Sequence, residues 1–458
     1  MKRFFTTLVL ASAAAVTFAG GLLTNTNQSA SFVRNPARFA SLSTDAIYFN
    51  PAGTAFFNEG WSFSANWQMI WQQRDAIDLL NDNKKYDGKV YVPCMPTLFA
   101  AYKTGDWTFS GFFGMPGGGG KAEFNNGLPM FDNLIGGLGT ALGLPVQLKG
   151  ASQFESTQYL FALQLGAAYQ ISENLSAYAG IRTNYISNNY MGTIEANTDL
   201  SALGAGMLNV ATVSLDMDQS GIAFAPIVGL DYKVGNFNFA AKYEFRAVTN
   251  IENDTKKIAI EANKALDQIP ALGMMGLSSA AIEQMAGAGL GSYLGGFADG
   301  NTLRADAPAT LTLAGSWQAL PRLQVMAGWN YYFDKDAKIE SLMGGYDNMR
   351  KLSRNTIEYL CGAEYQVTDK LLLSAGIQFS NFGINDEYTS DLGFINDSFM
   401  TGVGGKYSIN EKVDFNFGYC YANYAPDNCN KLRYPTGGSL TRYERKTHNV
   451  SVGVDFRL

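Results

Sequence analysis

The chain has 458 residues, of which 16% are charged, 13% aromatic and 49 are glycine, with a mean hydropathy of -0.07. Low charge with many aromatics excludes a disordered chain, and the lack of repeated apolar runs of about 20 residues excludes a helical membrane protein. One histidine leaves little room for metal or acid–base enzyme designs; with the first 19 residues set aside, 40 acids face 32 bases, a net charge of −8 that disfavours nucleic acid.

Met1, Lys2 and Arg3 lead into an apolar stretch from Phe4 to Phe18 and then Ala19 and Gly20. That order of charge, apolar core and small residues predicts a secretory signal over residues 1–19. Residues 20–60 follow without strand periodicity. They hold two Asn-Pro-Ala triplets, Asn35 to Ala37 and Asn50 to Ala52, among Phe32, Phe39, Phe49, Phe56 and Phe57. Each proline fixes its own backbone and extends the residue before it, so the triplets mark breaks. Such a segment ahead of a barrel is either a periplasmic tail or a plug in the lumen, and its aromatics favour the plug.

From residue 61 the pattern has period two. Val450, Val452, Val454, Phe456 and Leu458 point one way, while Ser451, Gly453, Asp455 and Arg457 point the other. Such segments predict strands at 61–72, 91–104, 106–116, 156–171, 174–190, 219–234, 236–250, 306–319, 321–334, 354–368, 370–382, 398–409, 412–424 and 445–458. Tight turns at Gly105, Gly235 and Asp369 alternate with long connections, the longest at 117–155, 191–218 and 251–305. A soluble sandwich also alternates apolar and polar residues, but the alternation of tight turns with long loops around a fourteen-strand meander is that of an outer-membrane barrel. The expected fold is therefore all-β, a 14-stranded antiparallel transmembrane β-barrel over 61–458 in the outer membrane of a Gram-negative bacterium.

Several side chains stand out as candidate sites. Met115 and Pro116, followed by Gly117, Gly118, Gly119 and Gly120, can break strand pairing at the end of the third strand, because proline removes a ladder donor and glycine permits bends. By phase Arg182, Lys242 and Arg246 face the lumen, where a ligand carboxylate would want a cation, although Glu244 lies between the latter two. The loop between the seventh and eighth strands is too apolar for an ordinary surface, with Leu272, Met274, Met275 and Leu277 expected to capture apolar ligand or to fold into a private core. Phe131, Leu134, Ile135 and Leu138 in an earlier loop offer a facing wall. His448 has no serine motif beside it and reads as a girdle or rim residue. Cys420 and Cys429 could close a small loop; no metal site or cofactor is expected.

At Thr44-Asp45-Ala46-Ile47-Tyr48-Phe49-Asn50-Pro51-Ala52-Gly53 the sequence resembles the FadL-type family of outer-membrane transporters for long-chain fatty acids and other hydrophobic compounds. The acidic-Ala pair, the aromatic and the Asn50, Pro51, Ala52, Gly53 motif shortly before the first strand carry the resemblance. It implies an N-terminal hatch over 20–60 that fills the lumen, capture on apolar outer loops, a pocket beside the hatch, and release sideways where the third strand kinks. The expected partners are a hydrophobic small molecule, fatty acid or aromatic, and outer-membrane lipid, with the chain acting as a monomer. A polar-solute porin and a structural or adhesive barrel remain the alternatives.

Overall fold

The computed structural model describes residues 28–144, 146–148, 153–340, 352–386, 388–389, 391, 393–430 and 439–458. The signal expected over 1–19 lies outside them. The strands are β1 Gly60–Asp78, β2 Lys84–Thr104, β3 Trp107–Phe124, β4 Val146–Leu148, β5 Gln153–Gln170, β6 Leu175–Asp199, β7 Met207–Val234, β8 Phe237–Glu244, β9 Asn250–Ala262, β10 Thr302–Arg304, β11 Thr310–Leu320, β12 Leu323–Tyr332, β13 Thr356–Gln366, β14 Leu371–Asn381, β15 Ser398–Ser408, β16 Val413–Tyr424, β17 Asp427–Asn430 and β18 Leu440–Arg457.

Fourteen of these, β1–β3, β5–β8, β11–β16 and β18, form a closed antiparallel barrel. Closure comes from β1 against β18, in register from Ser62↔Arg457 to Asp78↔Thr441. Pairing the first strand with the last removes the two free edges that an open sheet would have in lipid. The period-two pattern explains which side each residue takes. Trp61, Trp67 and Trp71 of β1 are exposed on the outer face, whereas Ser64, Asn66 and Gln68 are buried.

Aromatic side chains mark both edges of the lipid-facing band. At the short-turn end Trp61 stands beside Tyr102 and Trp107 beside Tyr169, with ring centres 4.8 and 4.7 Å apart. At the other edge Trp71 is paired with Tyr91 on one side and His448 on the other. Ten residues of tilted strand between Trp61 and Trp71 give a band about 25 Å tall, the height of an outer-membrane hydrocarbon layer.

The strands run farther than the alternation predicts. β7 begins at Met207 rather than 219, β6 continues to Asp199, and β3 reaches Phe124. Above the aromatic edge the outer face no longer meets lipid, so its apolar signal fades while the ladder hydrogen bonds continue. The expected seventh strand, in contrast, is divided: β8 stops at Glu244 and the chain resumes pairing as β9.

Residues 28–57 lie inside the barrel and are buried almost throughout. They form helix α1 Ala30–Arg34, helix α2 Ala46–Phe49 and a 3-10 helix Pro51–Phe56. Phe32, Phe39, Phe49, Ile47 and Tyr48 make one apolar core with inward residues of the wall such as Phe99, Phe112 and Met326. Burying each large apolar side chain stabilises the arrangement by about 1.5–3 kcal/mol. The long loops carry helices α3 Pro129–Leu142, α4 Pro270–Met274 and α5 Ser279–Leu294.

Candidate functional site

The lumen segment is held by polar contacts that its sequence supplies in order. Ser29 caps α1, accepting from Phe32 N–H at 2.9 Å, and donates to Asp45 at 2.8 Å. Arg34 and Arg38 both reach Glu364 of β13, at 2.7 and 2.8 Å, and Arg38 also makes a two-pronged bond to Asp45 at 2.8 and 3.0 Å. All four groups are buried, and two cations against two carboxylates leave no net charge in the cluster.

The Asn-Pro-Ala-Gly motif acts as an anchor. Asn50 donates to Asp231 of β7 and to Ser41 O, the latter at 3.2 Å. Pro51 starts the 3-10 helix, where its missing N–H costs nothing. Ala52 O accepts from Ser176 of β6 at 2.8 Å. A Cβ at Gly53 would stand 2.4 Å from Asn50 Nδ2, so only glycine leaves the amide room to turn back. The earlier triplet differs: Asn35 Oδ1 accepts from Ala37 N–H at 3.1 Å and closes its own turn.

Against this segment lies a cavity, part of it open to solvent. Phe39 and Tyr48 form its floor, Pro116 and Leu160 one side, and Arg182, Lys242 and Glu244 a polar wall. Arg182 binds Glu244 at 2.6 Å and Lys242 binds it at 2.8 Å. Lys242 also donates to Tyr48 O at 2.9 Å, and the Arg182 guanidinium lies 4.6 Å from the Tyr48 ring centre. Both cations are thus already engaged with one carboxylate and with the lumen segment.

Arg246 is placed differently from Arg182 and Lys242. Phe245 and Arg246 are consecutive exposed residues, and the buried places after them pass to Ala247, Thr249 and Ile251. This bulge turns the phase by one residue, so the alternation that places Lys242 inward does not carry on to Arg246. Arg246 instead donates to Asp336 O at 2.6 Å and does not line the cavity.

Beside the cavity the β2–β3 ladder is interrupted. It runs up to Leu98↔Phe113 and resumes at Tyr91↔Lys121, leaving residues 92–97 and 114–120 without a pair between these strands. On its other edge β3 changes register around Gly114 to Gly117 and Gly118 to Gly120. Pro116, Gly117 and Gly118 therefore sit at the break, and Gly118 has a positive φ of 68°. The break in the ladder is filled from within. Gln28 donates to Met115 O at 3.0 Å and accepts from Thr97, while Met95, Met115, Val92 and Ile70 pack as a buried cluster.

In the outer loop, Leu272 and Leu277 are buried with Leu266, Ile269 and Ile282, whereas Met274 and Met275 are exposed. Asp267 accepts from both the backbone N–H and the hydroxyl of Ser279 at 2.7 Å, which holds its carboxyl below the usual carboxylate range. Helix α3 puts Leu128 and Phe131 over inward residues Phe154, Ile186 and Tyr190 of the wall. His448 contacts Tyr419 and Tyr421 on the outer face. Cys420 and Cys429 form no disulfide with each other, so the small loop considered between them is not bridged.

A family model described as "Outer membrane protein transport protein (OMPP1/FadL/TodX)" matches residues 10–457. The chain belongs to that family. As a FadL/TodX-family protein it is a transporter of the Gram-negative outer membrane and not an enzyme. Solved structures share its fold at low identity. A Pseudomonas aeruginosa FadL homologue is 15% identical with a TM-score of 0.64, covering 95% of this chain and 99% of that one. The P. putida toluene transporter TodX is 15% identical with a TM-score of 0.57, covering 91% and 94%. The Ralstonia pickettii toluene transporter TbuX is 13% identical with a TM-score of 0.53, covering 97% and 100%. No curated protein matches the chain in sequence.

Of the residues that form the site, sequence reasoning missed Asp231, Glu364, Tyr48 and Asn184, the last a further lining residue of the cavity. Asp231 and Glu364 carried a usable signal, since each is an acid at an inward position of a strand and needs an amide or a cation there. Tyr48 and Asn184 carried none that separates them from neighbouring residues.

Proposed function

We propose that this chain takes up hydrophobic small molecules through the outer membrane, from the apolar outer loops through the cavity beside a lumen hatch, residues 20–60, to a lateral exit between β2 and β3. The observation that carries the reading is one cavity that touches the lumen segment at Phe39 and Tyr48 and the strand break at Pro116. An apolar ligand leaving through the wall avoids the aqueous lumen, worth about 0.8 kcal/mol for each methylene kept from water. Met274 and Met275 offer exposed, adaptable apolar surface for first capture, while Leu272 and Leu277 support it from beneath.

Long-chain fatty acids fit the apolar walls, and aromatic compounds fit them equally. An acid's carboxylate can reach Arg182 or Lys242 in exchange for Glu244, which links ligand binding to the grip on Tyr48. Transport by a monomer suffices, since cavity and exit lie within one barrel.

The exit is tested by a staple. Leu98 and Phe113 are cross-strand partners at the lower margin of the break. In a background with exposed Cys94 and Cys361 changed to serine, Leu98→Cys with Phe113→Cys is expected to lower uptake of radiolabelled oleate by whole cells when oxidised. Reductant is expected to restore it. Equal uptake by the oxidised and reduced forms rejects exit at this place.

A further inference from the structure

The interruption in the β2–β3 hairpin has a counterpart in the β7–β8 hairpin. Both hairpins turn at a glycine of positive φ, Gly105 and Gly235. The β7 ladder runs up to Ile227↔Glu244 and resumes as Ser220↔Glu252, with a one-residue change in register like that between Leu98↔Phe113 and Tyr91↔Lys121. At its lower edge a bond of 2.9 Å from Phe245 N–H to Pro226 O remains. The two breaks therefore stand at similar heights above the short turns.

The second break is thin. Its inward side chains include Ala223, Ala225 and Ala247, packed with Ala307, beside the buried Thr249 and Ile251, where the first is filled by Met95, Met115 and Gln28. Its outward side chains Ile222, Phe224, Phe245 and Val248 are exposed. Ala225, Ala247 and the outward Phe245 all line the cavity, so the cavity reaches the outer residues of the wall. Pro226 and Pro308 have no N–H to pair. Unpaired backbone at membrane depth is tolerated where it lines a cavity, and this one does.

We infer that the barrel has a second side port, between β7 and the chain from β8 to β9, through which a slim apolar molecule passes between the cavity and the membrane. The port rests on the reading of the cavity as a transport chamber with lateral exit, and it gives that chamber two ways out.

The test uses two staples in the full-length protein lacking Cys94 and Cys361. One is Leu98→Cys with Phe113→Cys; the other is Val228→Cys with Tyr243→Cys, cross-strand partners just below the second break. Whole-cell uptake of radiolabelled oleate is read before and after reductant, and recovery on reduction shows that each barrel is folded. Either staple alone is expected to cause a partial loss, and both together a loss to the level of cells without the protein. Loss to that level from the first staple alone, with unchanged uptake by the second, overturns the second port and leaves the β2–β3 exit standing. Unchanged uptake with both staples closed overturns lateral exit itself, and the port with it. Ala225→Phe, whose ring has the cavity to enter, gives an independent variant: wild-type uptake by it in the presence of the first staple also overturns the port.

Discussion

At the scale of single residues, the lumen segment is fixed by a few buried polar groups whose partners lie far away in the chain. Asn50 and Asp231 are the sharpest case. Asp231 is fully buried and takes hydrogen bonds from Asn50 and from Asn238, the second at 2.9 Å. Asn50→Ala removes one donor from a buried carboxylate, which costs about 1.5–3 kcal/mol. The urea midpoint of the protein in lipid vesicles is expected to fall accordingly. Asp231→Ala made in the Asn50→Ala protein should cost much less than in the wild type, because the shared bond is already gone. Strictly additive effects would show that the motif is not the anchor. The motif itself stood out in the sequence; Asp231 did not, and neither did their pairing, because 181 residues separate them and no local pattern links a turn to a strand.

At the scale of elements, α1 rests on a bed of glycines. Gly362 faces Gly376, and Gly376 faces Gly402, across three neighbouring strands. A Cβ at Gly402 would lie 2.4 Å from Val33 O, and one at Gly418 would lie 2.7 Å from Ala30 O. Backbone, not a flexible side chain, is what these positions would strike. Gly402→Val is therefore expected to lift α1 while the barrel still folds, and to raise steady conductance in planar bilayers. Gly315→Ala, which meets the Phe239 ring at an ordinary 3.4 Å, should leave conductance as it was. The strands were legible because lipid demands an apolar residue at every second place. Their upper ends were not, because that demand stops at the aromatic edge; nor was the bulge at Phe245 and Arg246, since the residues around it keep a plausible alternation and only the ladder reveals the extra one. The glycines showed as a high count, without a sign that several of them form one surface.

At the scale of the whole molecule, the wall and its filling are separable. The ladder closes through β1 and β18 without help from residues 28–57, yet those residues occupy the lumen and neutralise part of its charge. The wild-type protein is therefore expected to show no large steady current in planar bilayers, whereas a polar-solute porin would conduct. A variant lacking residues 28–57 should conduct, because a barrel of this strand number is wide enough to hold water once its filling is gone. That deletion also strips Arg34 and Arg38 from Glu364, and an uncompensated buried charge costs about 3–5 kcal/mol. Water entering the emptied lumen offsets part of this, and Glu364→Gln removes the rest. The deletion combined with Glu364→Gln should thus be the more stable of the two in urea while conducting equally. Large steady currents from the wild type would reject the filled lumen, and a deletion that folds but does not conduct would place the barrier elsewhere, at the outer loops under α3.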